Sequence, residues 1–158
     1  LSRNISINNL EKKIKIFSQP LSNRENYFMV MKESQFIEGG ALNNFGEAFD
    51  FNGEKFQSKM NYKILGTTID YLLEANILDV PNYIKIDVDG IEHLILDGAN
   101  KYLSNKKIKS LSIEINENFT EQYTNVLHIM NKNGFKVIQK KHNPELSHKT
   151  TFNYLFSR

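Results

Sequence analysis

Residues 83–99 have the sequence YIKIDVDGIEHLILDGA, which combines a strand, a turn and a helix in one unit. Residues 83–88 are rich in β-branched and aromatic side chains and lead into an Asp-Gly pair, the pattern of a buried strand that ends in a turn. From Ile91 onward the apolar residues recur at helical spacing. We therefore expect a parallel strand that leads through a tight acidic turn into an amphipathic helix.

The turn between this strand and this helix carries three carboxylates, at Asp87, Asp89 and Glu92. In open α/β sheets, ligands bind in the crevice outside the carboxyl ends of the strands, and the turn lies at such an end. Three carboxylates this close together repel one another unless a ligand, a lysine or a metal compensates their charge. The turn is therefore the candidate functional site.

A polar patch is expected beside the turn. Side chains alternate along a strand, so Lys85, Asp87 and Asp89 share one face of the first strand. Residues 109–116 form a second strand with the same alternation, and Glu114 lies on its polar side. If the strands are adjacent, Lys85 is buried and held between Asp87 and Glu114, because an unpaired buried charge costs several kcal/mol. An ion pair without a catalytic role is the alternative, and the position at the strand ends favours function.

Strands and helices alternate along most of the 158 residues. Further strands are predicted at 13–17, 26–32, 135–139 and 151–156. Further helices are predicted at 1–10, where the pair Asn8-Asn9 is suited to end the helix, at 67–77, capped by Thr67 or Thr68, and at 121–133, ended by Gly134. This alternation predicts a single α/β domain with a largely parallel sheet. The last two strands have no helix between them, which implies one antiparallel strand near the C-terminus.

Residues 38–61 mix glycines, asparagines and aromatic residues without a sustained period. The segment is too long for an ordinary connection, so we expect an insertion that serves as a lid over the candidate site. Its aromatic residues suit stacking on sugar faces and are Phe45, Phe49, Phe51 and Phe56. A flexible surface loop without a function is the alternative interpretation.

The composition excludes several classes of function. The net charge of +2 comes from scattered lysines, which argues against a nucleic-acid partner. The absence of cysteine excludes disulfides, thiolate metal sites and a thiol nucleophile, and it is compatible with a reducing compartment. No apolar run approaches the ~20 residues of a membrane span, and residues 1–10 lack the apolar region of a signal peptide. We expect a cytoplasmic protein.

Residues 86–90, IDVDG, also resemble two other motifs. The sequence resembles the nucleophile motif of haloacid-dehalogenase-like phosphatases, in which the first Asp attacks phosphorus. Ile91 stands where that motif usually has Thr or Val, and no later pattern of a lysine and an acidic pair follows. A calcium loop fits less well, because the third acidic position and the closing Glu are missing at the required spacing.

The chain resembles the FkbM family of S-adenosylmethionine-dependent methyltransferases more closely. That family has a strand and turn of the form KIDVEGxE followed by a helix with xxLxGA, and residues 85–99 are KIDVDGIEHLILDGA. Five further segments are similar to family motifs in family order: LSRNISINNL, KIKIFSQPLSN, TTIDYLLEANI, SLSIEIN and TTFNYLFSR. Two positions depart from the family pattern, because Asp89 replaces a Glu and Pro20 occupies a site that is typically Ala.

The resemblance implies a Rossmann-like class I methyltransferase sheet, mostly parallel, with one antiparallel strand near the C-terminus. The glycine-rich loop and the ribose-binding acid of such enzymes are not found in the sequence. We therefore expect a partial domain, corresponding to the carboxyl-terminal two-thirds, whose first strands are missing. This absence leads us to expect that the 158 residues alone bind S-adenosylmethionine weakly or not at all and are inactive, and that restoring the upstream segment rescues binding.

The resemblance also implies O-methyl transfer from S-adenosylmethionine to a hydroxyl group of a sugar, a glycan or a related small molecule. Asp87 is the first candidate for the catalytic carboxylate, and it is supported by Lys85 and Glu114. The expected acceptor-binding residues are Asp89, Glu92 and His93, of which His93 is an alternative base expected to face solvent. The expected cofactor-binding residues are Gln19, Pro20, Leu21 and Asp87.

No metal is assigned to this site from the sequence. A degenerate methyltransferase fold that serves as a binding module without catalysis is the non-enzymatic alternative. The identity of the acceptor and the formation of a homo-oligomer are left open.

Overall fold

The structure is a computed structural model that describes residues 1–35, 43–142 and 150–158. Two sheets and four helices are found in these residues. The first helix, α1, spans Ser2–Ile7 and ends at Asn8, and the following Asn9 has a φ of +53°. Asparagine tolerates this left-handed conformation, so the Asn-Asn pair ends the helix as the sequence predicts.

Residues 13–17, which lie in the described part of the chain, form a turn and irregular backbone instead of the predicted strand. Ile14 and Ile16 alternate with lysines as in a strand, but both isoleucines are exposed. Alternating apolar and polar residues form a strand only where a neighbouring strand supplies hydrogen-bond partners. Among the described residues, no strand pairs with this segment. The prediction of a strand here is wrong.

The first sheet, which we call the arm sheet, is antiparallel throughout. Its strands are β1 (Tyr27–Glu33), β2 (Asn43–Phe45) and β3 (Met60–Gly66), in the order β2-β1-β3. β1 and β3 form a ladder along their whole length, from Tyr27 opposite Gly66 to Glu33 opposite Met60. The arm loop, residues 46–59, connects β2 to β3.

The predicted lid at 38–61 therefore overlaps the arm sheet and the arm loop. Its first five residues, 38–42, lie outside the described residues. β2 and the start of β3 fall within it, so this part of the segment is paired structure.

Helix α2 spans Ile69–Glu74 and begins where the sequence predicts. The Thr68 side chain accepts a 3.1 Å hydrogen bond from the backbone nitrogen of Tyr71, which is the geometry of an N-cap. Asp70 accepts hydrogen bonds from the backbone nitrogens of Lys101 and Tyr102. These bonds attach the helix to the segment that follows α3.

The second sheet contains the predicted central strand. Its elements are β4 (Tyr83–Ile86), α3 (Glu92–Asp97), β5 (Ser110–Asn116), α4 (Thr120–Lys132), β6 (Lys136–His142) and β7 (Thr151–Ser157). The strand order is β4-β5-β7-β6. β4 pairs with β5 in parallel, whereas β7 lies between β5 and β6 and is antiparallel to both.

The expected Rossmann-like, mostly parallel sheet is wrong. Within the described residues only β4 and β5 form a parallel ladder, and every other pairing of named strands is antiparallel. The sequence predicts alternating strands and helices, but β1 and β3 pair with each other in antiparallel. β6 and β7, the last two strands of the chain, form the predicted antiparallel pair.

The core lies between the second sheet and helices α3 and α4. The sheet contributes the fully buried residues Leu111, Ile113, Ile115 and Phe156, and the helices contribute Leu96, Val126 and Met130. Met29 and Phe45 of the arm sheet join the same cluster, so the two sheets share one core. In the part of the chain that is described, no helix has the length and apolar character needed to cross a membrane.

Candidate active site

The acidic turn, residues 87–90, connects the end of β4 to helix α3. Its backbone turns at Gly90, whose φ of +103° lies in the left-handed region that favours glycine. A Cβ atom at this position would lie 2.9 Å from the Cα atom of Phe51 and 3.0 Å from the carbonyl oxygen of Asp50. Glycine therefore allows the acidic turn to pack directly against the arm loop.

Two clefts open beside the acidic turn. The polar cleft, of about 350 Å³, is lined by Ser34, Asn43, Asp50, Phe51, Glu54, Lys55, Phe56, Gln57 and Asp89. The apolar cleft, of about 320 Å³, is lined by Pro20, Leu21, Met31, Asn43, Phe45, Asp87, Val88, Asp89, Ile91 and Ile95. The site therefore offers two chemically different compartments.

Asn43 and Asp89 line both clefts. The backbone nitrogen of Asn43, at the start of β2, donates a 3.1 Å hydrogen bond to Oδ2 of Asp89. This bond connects the arm sheet to the acidic turn at the boundary between the clefts. Asp89 is thus the carboxylate that adjoins both compartments, whereas Asp87 adjoins the apolar cleft.

Lys85 pairs with Asp87 across 2.5 Å, and the two side chains are 63% and 41% exposed. The expectation of a buried lysine is therefore wrong. Among the described residues β4 is an edge strand of its sheet, with β5 as its one neighbouring strand. The hydrogen bond and the negative charge of Asp87 raise the pKa of Lys85. Lys85 is thus a cation that compensates part of the negative charge of the turn.

Glu114 lies on the neighbouring strand, as predicted. β4 and β5 pair with Lys85 opposite Ser112, and the continuation of this register brings Asp87 beside Glu114. Burial raises the pKa of Glu114, and the negative charges of Asp87 and Asp89 raise it further. Glu114 has no ion pair with Lys85 within 4 Å, so the expected three-membered bridge is reduced to one pair and one nearby carboxyl group.

Glu92, the first residue of α3, is 1% exposed and lines neither cleft. Its Oε1 atom accepts a 3.2 Å hydrogen bond from the backbone nitrogen of Val88, and its Oε2 atom accepts one from Nε2 of Gln122. Burial raises the pKa of Glu92 from 4.5 to about 8, although these hydrogen bonds oppose the shift. The side chain contacts the backbone of the acidic turn from inside the protein.

His93 is 4% exposed, so the expectation that it faces solvent is wrong. Its ring stacks on Phe49 of the arm loop at 6.3 Å between centroids and meets the edge of Phe119 at 5.8 Å. Burial lowers the pKa of His93. Its buried Nδ1 atom has no hydrogen-bond partner in the residues that the structure describes. His93 lines a third groove, between α3 and α4, that is separate from the two clefts.

Pro20 and Leu21, two of the expected cofactor-binding residues, line the apolar cleft. Thr67 holds this segment in place, because its backbone nitrogen donates to the carbonyl oxygen of Pro20 and its carbonyl oxygen accepts from the backbone nitrogen of Ser22. Gln19 precedes these residues but does not line the cleft. The structure thus brings Pro20 and Leu21 together with Asp87.

A family model described as the methyltransferase FkbM domain matches residues 2–137. This chain belongs to the FkbM methyltransferase family. Comparisons with curated proteins and with solved structures gave no match. The matched residues of the FkbM domain include the acidic turn, the residues that line both clefts, and Glu114.

Several residues at the site of this FkbM domain carry no signal in the sequence. Asn43 reaches Asp89 from β2, and Gln122 reaches Glu92 from α4. Both are single polar residues outside any motif. Asn43 is 46 positions from Asp89 in the sequence, and Gln122 is 30 positions from Glu92. A helical pattern places Gln122 in the first turn of α4, but it does not identify its partner.

The metal question concerns the same carboxylates. Across 1–35, 43–142 and 150–158, no three histidine, cysteine, aspartate or glutamate side chains are grouped so as to hold a metal ion. Lys85 is the cation that the structure provides beside Asp87.

Proposed function

We propose that this FkbM domain transfers a methyl group from S-adenosylmethionine to a hydroxyl group of a sugar or a related small molecule. The observation that carries the proposal is the pair of clefts that meet at Asp89. Methyl transfer requires a donor and an acceptor to lie in line at a shared boundary. The apolar cleft suits the donor, and the polar cleft suits the acceptor.

The residues of the apolar cleft fit S-adenosylmethionine in their chemistry. Its lining combines apolar side chains with two carboxylates, and a cofactor with an aromatic base and a positive sulfur needs both. The residues that would hold it are Pro20, Leu21, Met31, Phe45, Asp87 and Ile91. When bound, S-adenosylmethionine supplies a methyl group activated by a cationic sulfur. Lys85 pairs with Asp87 and so offsets part of the negative charge that Asp87 brings to this cleft.

The polar cleft fits a hydroxyl-rich acceptor. Phe51 and Phe56 provide aromatic surface, while Lys55, Glu54 and Gln57 provide donors and acceptors of hydrogen bonds. Sugars present both an apolar ring face and polar hydroxyl groups, so this combination suits them. Of the four phenylalanines expected to contact the acceptor, Phe45 lines the apolar cleft and Phe49 packs on His93 and Phe119.

Asp89 is the carboxylate best placed to take the proton of the acceptor hydroxyl, because it adjoins both clefts. Its bond to the backbone of Asn43 fixes its orientation. A positioned general base typically contributes a factor of roughly 10² to 10⁴ in rate. In this proposal Asp87 binds on the donor side and Lys85 balances its charge, while Glu114 is the neighbouring carboxyl group whose pKa is raised by burial and by the charges of Asp87 and Asp89.

The test compares Asp89→Asn with Asp87→Asn in the full-length protein. Both changes keep the size of the side chain and remove its charge. Asp89→Asn is expected to lower kcat by about 10²-fold or more with little change in the Kd for S-adenosylmethionine. Asp87→Asn is expected to raise that Kd. Transfer of a radiolabelled methyl group to a panel of sugars gives kcat, and calorimetry with S-adenosylhomocysteine gives the Kd of the donor site.

Asp79→Asn is the matched control, because Asp79 is exposed and lines neither cleft. Wild-type turnover by Asp89→Asn would remove Asp89 from the reaction. Binding of S-adenosylhomocysteine without methyl transfer to any acceptor would instead favour a binding module without catalysis.

A further inference from the structure

Three polar side chains form a connected network beneath the acidic turn. Glu92, Asn116 and Gln122 are 1%, 3% and 2% exposed, and they belong to α3, β5 and α4. Gln122 donates from Nε2 to Oε2 of Glu92, and its Oε1 atom accepts a 2.8 Å hydrogen bond from the backbone nitrogen of Asn116. Buried polar groups of this kind are retained where their geometry is fully satisfied.

The network connects the two walls of the polar cleft. At one end, Oε1 of Glu92 accepts the hydrogen bond from Val88 in the acidic turn. At the other end, Nδ2 of Asn116 donates to the carbonyl oxygen of Phe51 at 3.1 Å and to Oδ1 of Asn52 at 2.9 Å, both in the arm loop.

The hydrogen-bond directions in this network are specific. When Glu92 is ionised, both of its oxygens accept from N–H groups, so an amide at position 92 would direct one NH₂ group at a donor. A flip of the Gln122 amide does not resolve the conflict, because its oxygen is already used by the backbone nitrogen of Asn116. The network therefore has one arrangement in which every donor meets an acceptor.

We propose that Glu92 is a positioning residue that, through Gln122 and Asn116, fixes the arm loop relative to the acidic turn and so sets acceptor binding in the polar cleft. The role in acceptor binding rests on the proposed function, whereas the role in ordering the arm loop does not. Glu92 does not line the cleft, so its effect on the acceptor must pass through these contacts.

The test uses two single variants and their combination. Glu92→Gln places two NH₂ groups against each other, and Gln122→Glu places two carboxyl groups against each other. In the double variant Glu92→Gln with Gln122→Glu, the new amide donates to the new carboxylate, which still accepts from Asn116. The amide oxygen at position 92 still accepts from Val88. The double variant thus restores every hydrogen bond of the network, with the negative charge at position 122 instead of position 92.

Three measurements separate positioning from general stability. At a pH above about 8, where Glu92 is ionised, Glu92→Gln is expected to raise the acceptor KM on the order of tenfold, the usual effect of a lost buried hydrogen bond. The Kd for S-adenosylhomocysteine should change less than the acceptor KM, because the network meets the apolar cleft only at the backbone of Val88, whereas it holds the arm loop that lines the polar cleft. Amide hydrogen exchange in the arm loop should be faster than in the wild type. The double variant should return KM and exchange to near wild-type values.

Glu121→Gln is the control, since Glu121 is exposed and precedes Gln122 in the same helical turn. Unchanged KM and unchanged exchange in Glu92→Gln would overturn the proposal. A well-folded double variant as impaired as the single variants would also overturn it. If Glu92→Gln does not fold, the double variant alone carries the test. If the wild type binds no donor, the proposed function fails, and hydrogen exchange still tests the positioning role.

Discussion

Raising the pH from 5 to 8 is expected to destabilise the folded protein through Glu92. The side chain is buried, and burial raises its pKa from 4.5 to about 8. In the unfolded chain the group ionises near 4.5, so between these two values the folded state holds a proton that the unfolded state has released. The stability that the neutral carboxyl group contributes is therefore fully present below 4.5 and is lost as the pH rises through about 8.

The size of the effect follows from the two pKa values. A difference of one unit corresponds to about 1.36 kcal/mol between the protonation states. Between pH 5 and pH 8 this linkage removes about 3 to 4 kcal/mol from the free energy of unfolding. Domains have a free energy of unfolding of roughly 5 to 15 kcal/mol, so one carboxyl group accounts for a large part of it.

Urea unfolding of the wild type and of Glu92→Gln at several pH values isolates this contribution. The chain has no tryptophan, so far-UV circular dichroism is the suitable signal. All other ionisable groups are common to both proteins and cancel in the difference. At pH 5 both proteins have a neutral side chain at position 92, which gives the reference difference in the free energy of unfolding. By pH 8 the difference should have shifted toward the variant by about 3 to 4 kcal/mol.

Parallel stability profiles for the two proteins would refute this reasoning. A constant difference would mean that Glu92 ionises in the folded protein at its ordinary pKa, and that the hydrogen bonds from Val88 and Gln122 outweigh its burial. The exposed Glu121→Gln variant should give a profile parallel to that of the wild type.

Two further substitutions test the walls of the polar cleft. Phe56→Ala should weaken acceptor binding by about 0.5 to 1.5 kcal/mol of lost aromatic contact without changing donor binding, whereas exposed Phe28→Ala should change neither in calorimetry. Gly90→Ala and Gly134→Ala both place alanine at positive φ, but only the former meets neighbouring backbone. Gly90→Ala should therefore lower the urea midpoint more than Gly134→Ala, and equal losses would contradict the packing of the acidic turn on the arm loop.

Local signals in the sequence predict much of this fold. The N-cap at Thr68, the acidic turn at Gly90 and the end of α4 before Gly134 each depend on residues close in sequence, and each is found. The FkbM motif at 85–99 likewise identifies the turn that adjoins both clefts. Such features depend on the backbone conformation of a few consecutive residues, and the types of those residues predict that conformation.

Sheet pairing and burial are less accessible to this reasoning. The antiparallel pairing of β7 with β6 is predicted, but the position of β7 between β5 and β6 is not, because no residue in 151–157 specifies its neighbours. The burial of His93 depends on Phe49 and Phe119, which lie in other elements. The side of a helix that the arm loop covers is decided by contacts between segments far apart in sequence.

The position of β7 has a consequence for how the protein folds during synthesis. β7 is the last strand of its sheet to be synthesised, and it lies between β5 and β6. Its Tyr154 and Phe156 side chains are buried in the core. Until residues 151–157 leave the ribosome, β5 has one open edge and the apolar side chains that will pack on Phe156 lack their cover. Pairings between distant segments form slowly and leave unpaired strand edges exposed to aggregation. The nascent FkbM domain is therefore expected to depend on chaperones until its β7 strand is available.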